Sequence, residues 1–346
     1  MIPVSVITGF LGSGKTTLLS RLMRDPAMGR TAVIVNEFGE IGLDHDLVET
    51  STESFVQLSN GCLCCNVRSD LTATLADLAV RRGQGTVPPF ERVVIETSGL
   101  ADPAPILHAL MTDRDLCGIY SLDGVITTAD AVIGLGTLDQ HEESRRQAAV
   151  ADRIVITKSD LSQASTDALR QRLAAMNPGA SVTEAAMGAI SPALLFGCGI
   201  YDLAGKNMDV AKWLAQDSPH PVTSGDHPHA SHVHTSSISS FCILREQPLH
   251  AVTLPLLLSA LAENCGADLL RVKGIVHVRE SPERPAVIHG VQHVYHAPAW
   301  LPRWPSADHR TRLVFIGRNL RETWVRMLID LLDDEVAQVG ASAHHA

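Results

Sequence analysis

The chain has 346 residues, of which 45% are hydrophobic and 19% are charged. This composition is too apolar for a disordered chain, and the length suits two globular domains, so a single small module is excluded. Lysine and arginine total 28 against 38 aspartate and glutamate, which gives a net charge of −10. Such an acidic chain disfavours nucleic acid or an anionic membrane surface as a partner.

Cysteine usage and the N-terminus bear on the compartment. Seven cysteines are too sparse for a disulfide framework. Residues 1–10 lack the basic region and cleavage site of a signal peptide, and no run of about 18 apolar residues occurs. We therefore expect reduced thiols, a cytoplasmic location and no membrane association.

Short β-branched runs alternate with amphipathic stretches through the first half of the chain. We predict strands at residues 4–8, 32–35, 93–95, 125–127 and 154–156, because short continuous apolar runs are typical of buried parallel strands. Leucines at helical spacing follow the first run, and again occur at Leu71, Leu75 and Leu78. The alternation predicts an α/β domain over residues 1–205, with a doubly wound, mostly parallel sheet.

Residues 206–237 are predicted to be a His-rich linker, since the segment at residues 216–240 is rich in Pro, Ser, Gly and His and shows no apolar periodicity. Beyond it we predict strands at residues 238–244, 270–278, 286–295 and 312–316. Helices are predicted at residues 248–264 and 320–339. These elements predict a smaller α+β domain over residues 238–340.

A phosphate-binding motif follows the first predicted strand directly. Residues 9–16 read G-F-L-G-S-G-K-T, which matches G-x-x-x-x-G-K-[ST] with a strand before it and a helix after it. Glycines let backbone N–H groups surround the phosphates, Lys15 neutralises the β and γ oxygens, and the Thr16 hydroxyl ligates Mg²⁺. The motif predicts a nucleoside triphosphate site of the P-loop type.

A second motif is a strand that ends in a carboxylate. Residues 92–99 read R-V-V-I-E-T-S-G, so Glu96 lies at the carboxyl end of a buried run. A carboxylate there can hold a magnesium-bound water or orient the attacking water, and Gly99 can sense the γ-phosphate. The alternative interpretation is an ordinary strand exit into a turn.

The identity of the base is indicated after the fifth predicted strand. Thr157-Lys158-Ser159-Asp160 is similar to the N-K-x-D guanine signature, with Thr157 in place of Asn. Asp160 can accept hydrogen bonds from both N–H groups on the guanine edge, which adenine does not offer in that arrangement, and the Lys158 stem can lie along the ring. The motif favours GTP over ATP.

Three thiols, Cys62, Cys64 and Cys65, lie within four residues just before a predicted helix. A helix N-terminus and the neighbouring Arg68 favour thiolate, the form that binds transition metals. Buried structural cysteines and a redox pair are the alternatives. Zn²⁺ usually takes four ligands, so a fourth has to come from elsewhere.

The segment at residues 36–44 supplies carboxylates, namely Glu37, Glu40 and Asp44. If one of them moved between Mg²⁺ and the thiols, hydrolysis and metal affinity would be coupled. A solvated acidic loop is the alternative. Histidines are concentrated in the linker and are candidate accessory metal ligands, the alternative being a compositionally biased linker; they are His220, His227, His229, His232 and His234.

Together these motifs resemble the CobW family of P-loop GTPases, relatives of the UreG and HypB metal-insertion proteins. The resemblance covers residues 9–17, 36–44, 61–65, 96–103, 122–131, 157–160 and 270–276. It implies slow GTP hydrolysis that loads or releases a transition metal, often Zn²⁺ or Co²⁺, for a client protein that meets the C-terminal domain.

The resemblance assigns roles in nucleotide, magnesium and transition-metal binding to particular residues. It implies that Gly12, Gly14, Lys15, Thr16 and Thr17 hold phosphate and Mg²⁺, that Glu96 lies in the magnesium shell, and that Lys158 and Asp160 hold the base. From the motifs themselves we also expect Gly9 and Ser13 at the phosphates, Gly99 at the γ-phosphate and Thr157 at the base. The resemblance implies Cys62, Cys64 and Cys65 as the transition-metal ligands, and the position of residues 36–44 after the second strand adds Glu37 as a candidate. Either Glu96 or Asp44 positions the attacking water, and Lys15 completes the catalytic set.

The leading hypothesis is therefore a GTP-hydrolysing metallochaperone, for zinc first and cobalt next, with a client metalloprotein and a homodimer that depends on nucleotide or metal. Cobalt delivery in cobalamin synthesis and activation of a nitrile hydratase are alternatives within this class. A nucleotide-insensitive zinc buffer is the alternative from another class. A P-loop kinase is disfavoured by the base signature.

Overall fold

The computed structural model describes residues 1–36, 55–57, 67–197, 238–266 and 268–343. The chain divides into two compact units, Met1–Lys206 with Val294–His296, and Asn207–His293 with Ala297–Ala346. The predicted linker, residues 206–237, lies outside the described residues. Among the described helices, none has the length and apolar character needed to cross a membrane.

Strands and helices alternate in the first unit. Its strands are β1 (Ile2–Gly9), β2 (Thr31–Asn36), β3 (Phe55–Gln57), β4 (Arg92–Thr97), β5 (Tyr120–Asp130), β6 (Arg153–Thr157) and β7 (Ser181–Ala185). Its helices are α1 (Lys15–Leu22), α2 (Val67–Gln84), α3 (Ala104–Thr112), α4 (Arg114–Cys117), α5 (Gly134–Gln140), α6 (Glu142–Ala149) and α7 (Gln163–Met176).

Strands β1 to β7 form one parallel sheet in the order β3-β2-β4-β1-β5-β6-β7. After β4 the chain crosses to the other side of β1, and this change of direction leaves a crevice at the carboxyl ends of the central strands. Strand register brings Gly9 beside Thr128 and Asp130 beside Thr157 at that edge. The predicted α/β fold with a mostly parallel sheet is confirmed.

The core of this unit fixes the position of α1 against the sheet. Leu18 and Leu22 of α1 are fully buried and belong to one cluster with Ile7, Val94 and Val155 from β1, β4 and β6. Burial of one such side chain is worth about 1.5–3 kcal/mol. The turn between β1 and α1 is therefore held at both of its ends by packed apolar side chains.

The second half of the chain contains an antiparallel sheet and two helices. Its elements are β8 (Ile238–Arg245), α8 (Thr253–Cys265), β9 (Leu269–Val276), β10 (Ala286–Val291), β11 (Val294–Tyr295), β12 (Ala299–Trp300), β13 (Thr311–Arg318) and α9 (Glu322–Ala343). Strands β10, β9, β13 and β8 lie in that order and pair antiparallel, and β12 pairs with β10. The predicted smaller α+β architecture is confirmed.

A buried carboxylate connects three elements of this second unit. Asp333 of α9 accepts hydrogen bonds from the backbone N–H of His250 (2.9 Å), the Thr253 hydroxyl (2.8 Å) and the Arg245 guanidinium (3.0 Å). Burial alone would raise the pKa of Asp333, but these hydrogen bonds and the positive charge of Arg245 outweigh it and lower the pKa. The ionised carboxylate thus joins β8, the start of α8 and α9.

Several element boundaries differ from the sequence predictions. Strands β3 and β7 were not expected, because β3 has three residues and β7 (S-V-T-E-A) is too polar for a buried run. The single strand predicted at residues 286–295 is two strands, β10 and β11, separated by a turn with Gln292 at φ 54°. The helix predicted from residue 248 begins at Thr253.

Candidate functional site

The phosphate loop lies between β1 and α1, where the chain has to turn sharply. Gly9 has a φ of 141°, and a Cβ there would lie 2.5 Å from the carbonyl oxygen of Thr128 and closer still to its hydroxyl. Only glycine fits this position, because both the backbone angle and the space exclude a side chain. Gly12 and Gly14 follow with φ values of 70° and 87°, and α1 begins immediately after Gly14.

Two side chains of the loop are buried against the backbone. Lys15 is 5% exposed, and its ammonium group donates to the carbonyl oxygens of Gly9 (3.1 Å) and Phe10 (3.3 Å). The Ser13 hydroxyl lies 2.6 Å from that of Thr128 on β5. The first N–H groups of α1 lie at the loop, as in anion sites at helix N-termini. Thr17, in that first turn, is exposed.

The carboxylate at the end of β4 contacts the phosphate loop directly. The Thr16 hydroxyl donates to Glu96 Oε1 at 2.6 Å, and Glu96 is fully buried. Next to this pair, the Thr97 hydroxyl donates to the Thr8 hydroxyl at 2.9 Å. The two residues predicted to ligate Mg²⁺ are therefore brought together at one end of the loop.

Gly99 packs against the same loop from the other side. A Cβ at Gly99 would lie 2.8 Å from both the backbone nitrogen and Cα of Leu11. Contacts below 3.0 Å are not found for real Cβ atoms, so this close approach of two backbone segments requires glycine. The segment after Glu96 and the phosphate loop thus share a tight backbone contact.

The predicted base-binding loop after β6 is attached to the phosphate loop at two points. The Thr157 hydroxyl donates to the carbonyl oxygen of Ser13 at 2.8 Å. Lys158, at φ 56°, donates from its ammonium group to the carbonyl oxygen of Gly12 (3.1 Å) and to Asp130 Oδ2 (2.5 Å). Asp160, the predicted guanine ligand, is exposed beside them.

Sequence reasoning missed two features of this edge. Asp130 lies at the end of β5, is 4% exposed and forms an ion pair with Lys158. The sequence did offer a signal for it, because Asp130, like Glu96, is a carboxylate at the end of a buried strand. The turn after β7 has Met187 at φ 50° and Gly188 at φ 75°, and a Cβ at Gly188 would lie 3.3 Å from the Thr17 carbonyl oxygen. This turn carried no sequence motif.

Cys62, Cys64 and Cys65, the carboxylates Glu37, Glu40 and Asp44, and the histidines at residues 220–234 all lie outside the described residues. Within the described part of the chain, no group of three or more His, Cys, Asp or Glu side chains is arranged to hold a metal ion.

A parallel sheet with a lysine-bearing glycine loop at its carboxyl edge defines a P-loop nucleotide-binding protein. Residues 3–184 match the model of the CobW/HypB/UreG nucleotide-binding domain, and residues 238–332 match that of the cobalamin synthesis protein cobW C-terminal domain. The chain belongs to the CobW/HypB/UreG family, as its motifs indicated.

Relatives match over nearly the whole chain. It is 33% identical to the zinc chaperone YjiA of Escherichia coli over 325 residues, covering 94% of this chain and 96% of that protein. It is 30% identical to the zinc chaperone CobW of Sinorhizobium sp over 367 residues, covering 96% of this chain and 97% of that protein. The crystal structure of Zn(II)-bound YjiA GTPase from E. coli superposes with a TM-score of 0.70 at 28% identity, covering 96% of this chain and 98% of that one.

Proposed function

We propose that this protein hydrolyses GTP to GDP and phosphate and uses the cycle to deliver a transition metal, zinc before cobalt, to a client metalloprotein in the cytoplasm. The observation that carries the proposal is the contact between Thr16 and Glu96 at 2.6 Å on a loop that also holds Lys15. Two candidate magnesium ligands, a lysine for the phosphates and a loop for the base lie at one edge of the sheet. Phosphoryl transfer requires these parts.

The residues at this edge fit Mg²⁺. The Thr16 hydroxyl and the Glu96 carboxylate are oxygen donors, the type that Mg²⁺ takes, and both lie at the loop. When bound, Mg²⁺ neutralises charge on the transferring phosphoryl group. Lys15 supplies positive charge to the same phosphate oxygens, and the backbone N–H groups of the loop hold them in place.

Guanine selection is assigned to Asp160, with Lys158 beneath the ring and Thr157 securing the loop. The support is that Thr157 and Lys158 are each hydrogen-bonded to the phosphate loop, so that base and phosphates would meet one connected surface. Binding of the base and of the phosphates is then coupled through a rigid contact. Glu96 and Asp44 remain the two candidates for positioning the attacking water, to be distinguished by the turnover of Glu96→Gln and Asp44→Asn variants.

The metal cargo is assigned to Cys62, Cys64 and Cys65, with Glu37 as a further ligand and His227, His229, His232 and His234 as accessory ligands. The support is the zinc chaperone name of two relatives that align over nearly the whole chain. Thiolate and carboxylate ligands suit Zn²⁺.

A homodimer that depends on nucleotide or metal is part of the proposal. The loops at the carboxyl edge of the sheet carry exposed apolar side chains, and exposed apolar patches mark interaction surfaces. They are Leu11, Leu100, Val132, Ile133, Leu161 and Met187. Light scattering of the chain with GDP and with a non-hydrolysable GTP analogue tests for a change in mass, and a monomer in all states would remove the dimer.

A GTPase assay of the Lys15→Ala variant tests the proposed activity. Loss of the buried ammonium group is expected to abolish turnover, because the charge on the phosphoryl group is no longer matched. Arg24→Ala, which removes an exposed cation just after α1, is the matched control and is expected to keep wild-type turnover. Unchanged hydrolysis in Lys15→Ala would contradict the assignment of the phosphate loop.

A further inference from the structure

Helix α6 contacts the segment that follows Glu96, although no motif pointed to this helix. Gln147 of α6 is fully buried, and its side-chain nitrogen donates to the carbonyl oxygens of Gly99 (3.2 Å) and Ala101 (3.0 Å). An amide nitrogen has two hydrogens, so both are used on this segment. Both N–H donors of this buried side chain thus hold one short piece of backbone, while its Oε1 has no hydrogen-bond partner among the described residues.

The backbone held by Gln147 is the one that touches the phosphate loop. Gly99 lies so close to Leu11 that a Cβ would be 2.8 Å from its backbone nitrogen. Because this contact is tight, any shift of the Gly99 carbonyl group also shifts the Gly99 backbone against the phosphate loop. Of the described side chains on α6, Gln147 is the one hydrogen-bonded to this carbonyl.

A second residue of α6 fixes the far end of the same segment. The Arg146 guanidinium donates to Asp102 (3.2 Å) and to Glu142 (2.7 Å), and Asp102 accepts from the backbone N–H of Ala104 at the start of α3. Burial lowers the pKa of Arg146, but the hydrogen bonds and charges of Glu142 and Asp102 outweigh it and raise the pKa. The segment is thus held by charge at one end and by the Gln147 amide at the other.

The residue before α6 reaches the phosphate loop itself. His141 stacks on Phe10 with ring centroids 4.4 Å apart and an angle of 30° between the planes. One short helix and its preceding residue therefore contact both segments that flank the predicted γ-phosphate position.

We propose that Gln147 is a positioning residue that sets Gly99 for the γ-phosphate, so that it is needed for GTP hydrolysis and for discrimination of GTP from GDP. This rests on the proposed function. Its amide acts on backbone that GDP does not require, since GDP lacks the γ-phosphate. Affinity for GDP is therefore expected to be independent of Gln147.

The test uses the full chain with Gln147→Glu, which leaves one donor at most, and Gln147→Met, which leaves none. Thr127→Val is the control, because the Thr127 hydroxyl donates to the backbone oxygen of Gln147 at 2.7 Å and anchors the helix without touching the Gly99 segment. Turnover is measured together with the Kd values for GDP and for a non-hydrolysable GTP analogue. Thermal unfolding identifies any variant that fails to fold.

In Gln147→Glu, acceptor oxygens face two carbonyl oxygens, so turnover is expected to fall by about 100-fold. Gln147→Met is expected to lose turnover in the same direction. In both variants the protein is expected to lose affinity for the GTP analogue and to keep its affinity for GDP. Thr127→Val is expected to retain the wild-type turnover and both wild-type Kd values.

Wild-type turnover in both Gln147 variants would overturn the proposal. Equal loss of GDP and analogue affinity, or the same defect in Thr127→Val, would reduce Gln147 to a structural role and would also overturn it. If the wild type binds GTP without hydrolysing it, the proposed GTPase function fails. The ratio of analogue to GDP affinity still decides the role of Gln147 in that case.

Discussion

Gly99→Ala places one methyl group where two backbone segments meet. The new Cβ would lie 2.7 Å from Leu11 Cδ2 and 2.8 Å from the Leu11 backbone nitrogen and Cα. The leucine side chain can rotate away, but the backbone atoms cannot. Non-bonded carbon atoms lie about 3.5–4.0 Å apart in ordinary contact, so the segments have to separate by roughly 0.7 Å or more.

This separation has two consequences of known size. Overpacking of this kind costs about 1–3 kcal/mol of the free energy of unfolding. Misplacement by about 1 Å of a group that orients the reactants can cost about 100-fold in rate, so we expect at least a tenfold fall in the turnover of GTP. The affinity for GDP is expected to fall less than turnover, because Gly99 is assigned to the γ-phosphate, which GDP lacks.

The control is Gly136→Ala in α5, where nothing lies within 4 Å of the added Cβ. Alanine is preferred over glycine within a helix by about 1 kcal/mol, so this variant should be slightly more stable and fully active. Turnover, the Kd of GDP and urea unfolding are measured on both variants. If Gly99→Ala hydrolyses GTP as the wild type does, the contact between Gly99 and Leu11 does not set the geometry of the site.

Two further predictions concern the base loop and the second unit. Thr157→Val removes the hydrogen-bond donor to the Ser13 carbonyl oxygen at almost constant side-chain volume, so the Kd values of GTP and GDP should rise together by about tenfold, which corresponds to about 1–2 kcal/mol. The control Thr157→Ser keeps the hydroxyl and should retain wild-type affinity. Isothermal titration measures both Kd values, and a loss of affinity confined to GTP would refute this role. Asp333→Asn should lower the free energy of unfolding by about 2 kcal/mol at neutral pH, because Arg245 loses its buried partner and keeps the more exposed Asp330. The pKa of Asp333 is lowered by folding, so its contribution is present above the unfolded-state pKa of about 3.9 and is lost as the pH falls through the folded value. Urea unfolding should therefore show the wild type and Asp333→Asn converging in acid, and a constant difference at every pH would contradict the ionised network.

The strands and the glycine loop were predictable because their patterns are local. Continuous β-branched runs predicted β1, β2, β4, β5 and β6, and the spacing of Gly9, Gly14 and Lys15 predicted a turn into α1. The boundaries of the predicted second-domain elements were less accurate, since the turn at residues 292–293 contains no Gly or Pro, and Gly290 before it lies inside β10.

The residues that connect the loops were not predictable from local pattern. Gln147 lies in a helix with the sequence E-E-S-R-R-Q-A-A, which shows no apolar stripe to indicate that position 147 is fully buried. Asp130 and Lys158 are 28 residues apart, and their contact depends on the adjacency of β5 and β6 in the sheet. Contacts of this type arise from the topology, which no spacing in the sequence specifies.

In the proposed function, bound nucleotide and bound metal change each other's affinity. The direct measurement is the Zn²⁺ affinity of the full chain without nucleotide, with GDP and with a non-hydrolysable GTP analogue. The same titrations on the triple variant Cys62→Ser, Cys64→Ser, Cys65→Ser provide the control. We predict that the affinity differs by about tenfold or more between the GDP and analogue states, and that the triple variant abolishes the nucleotide-dependent binding. Equal affinity in all three states would contradict coupling and would make the protein a zinc buffer.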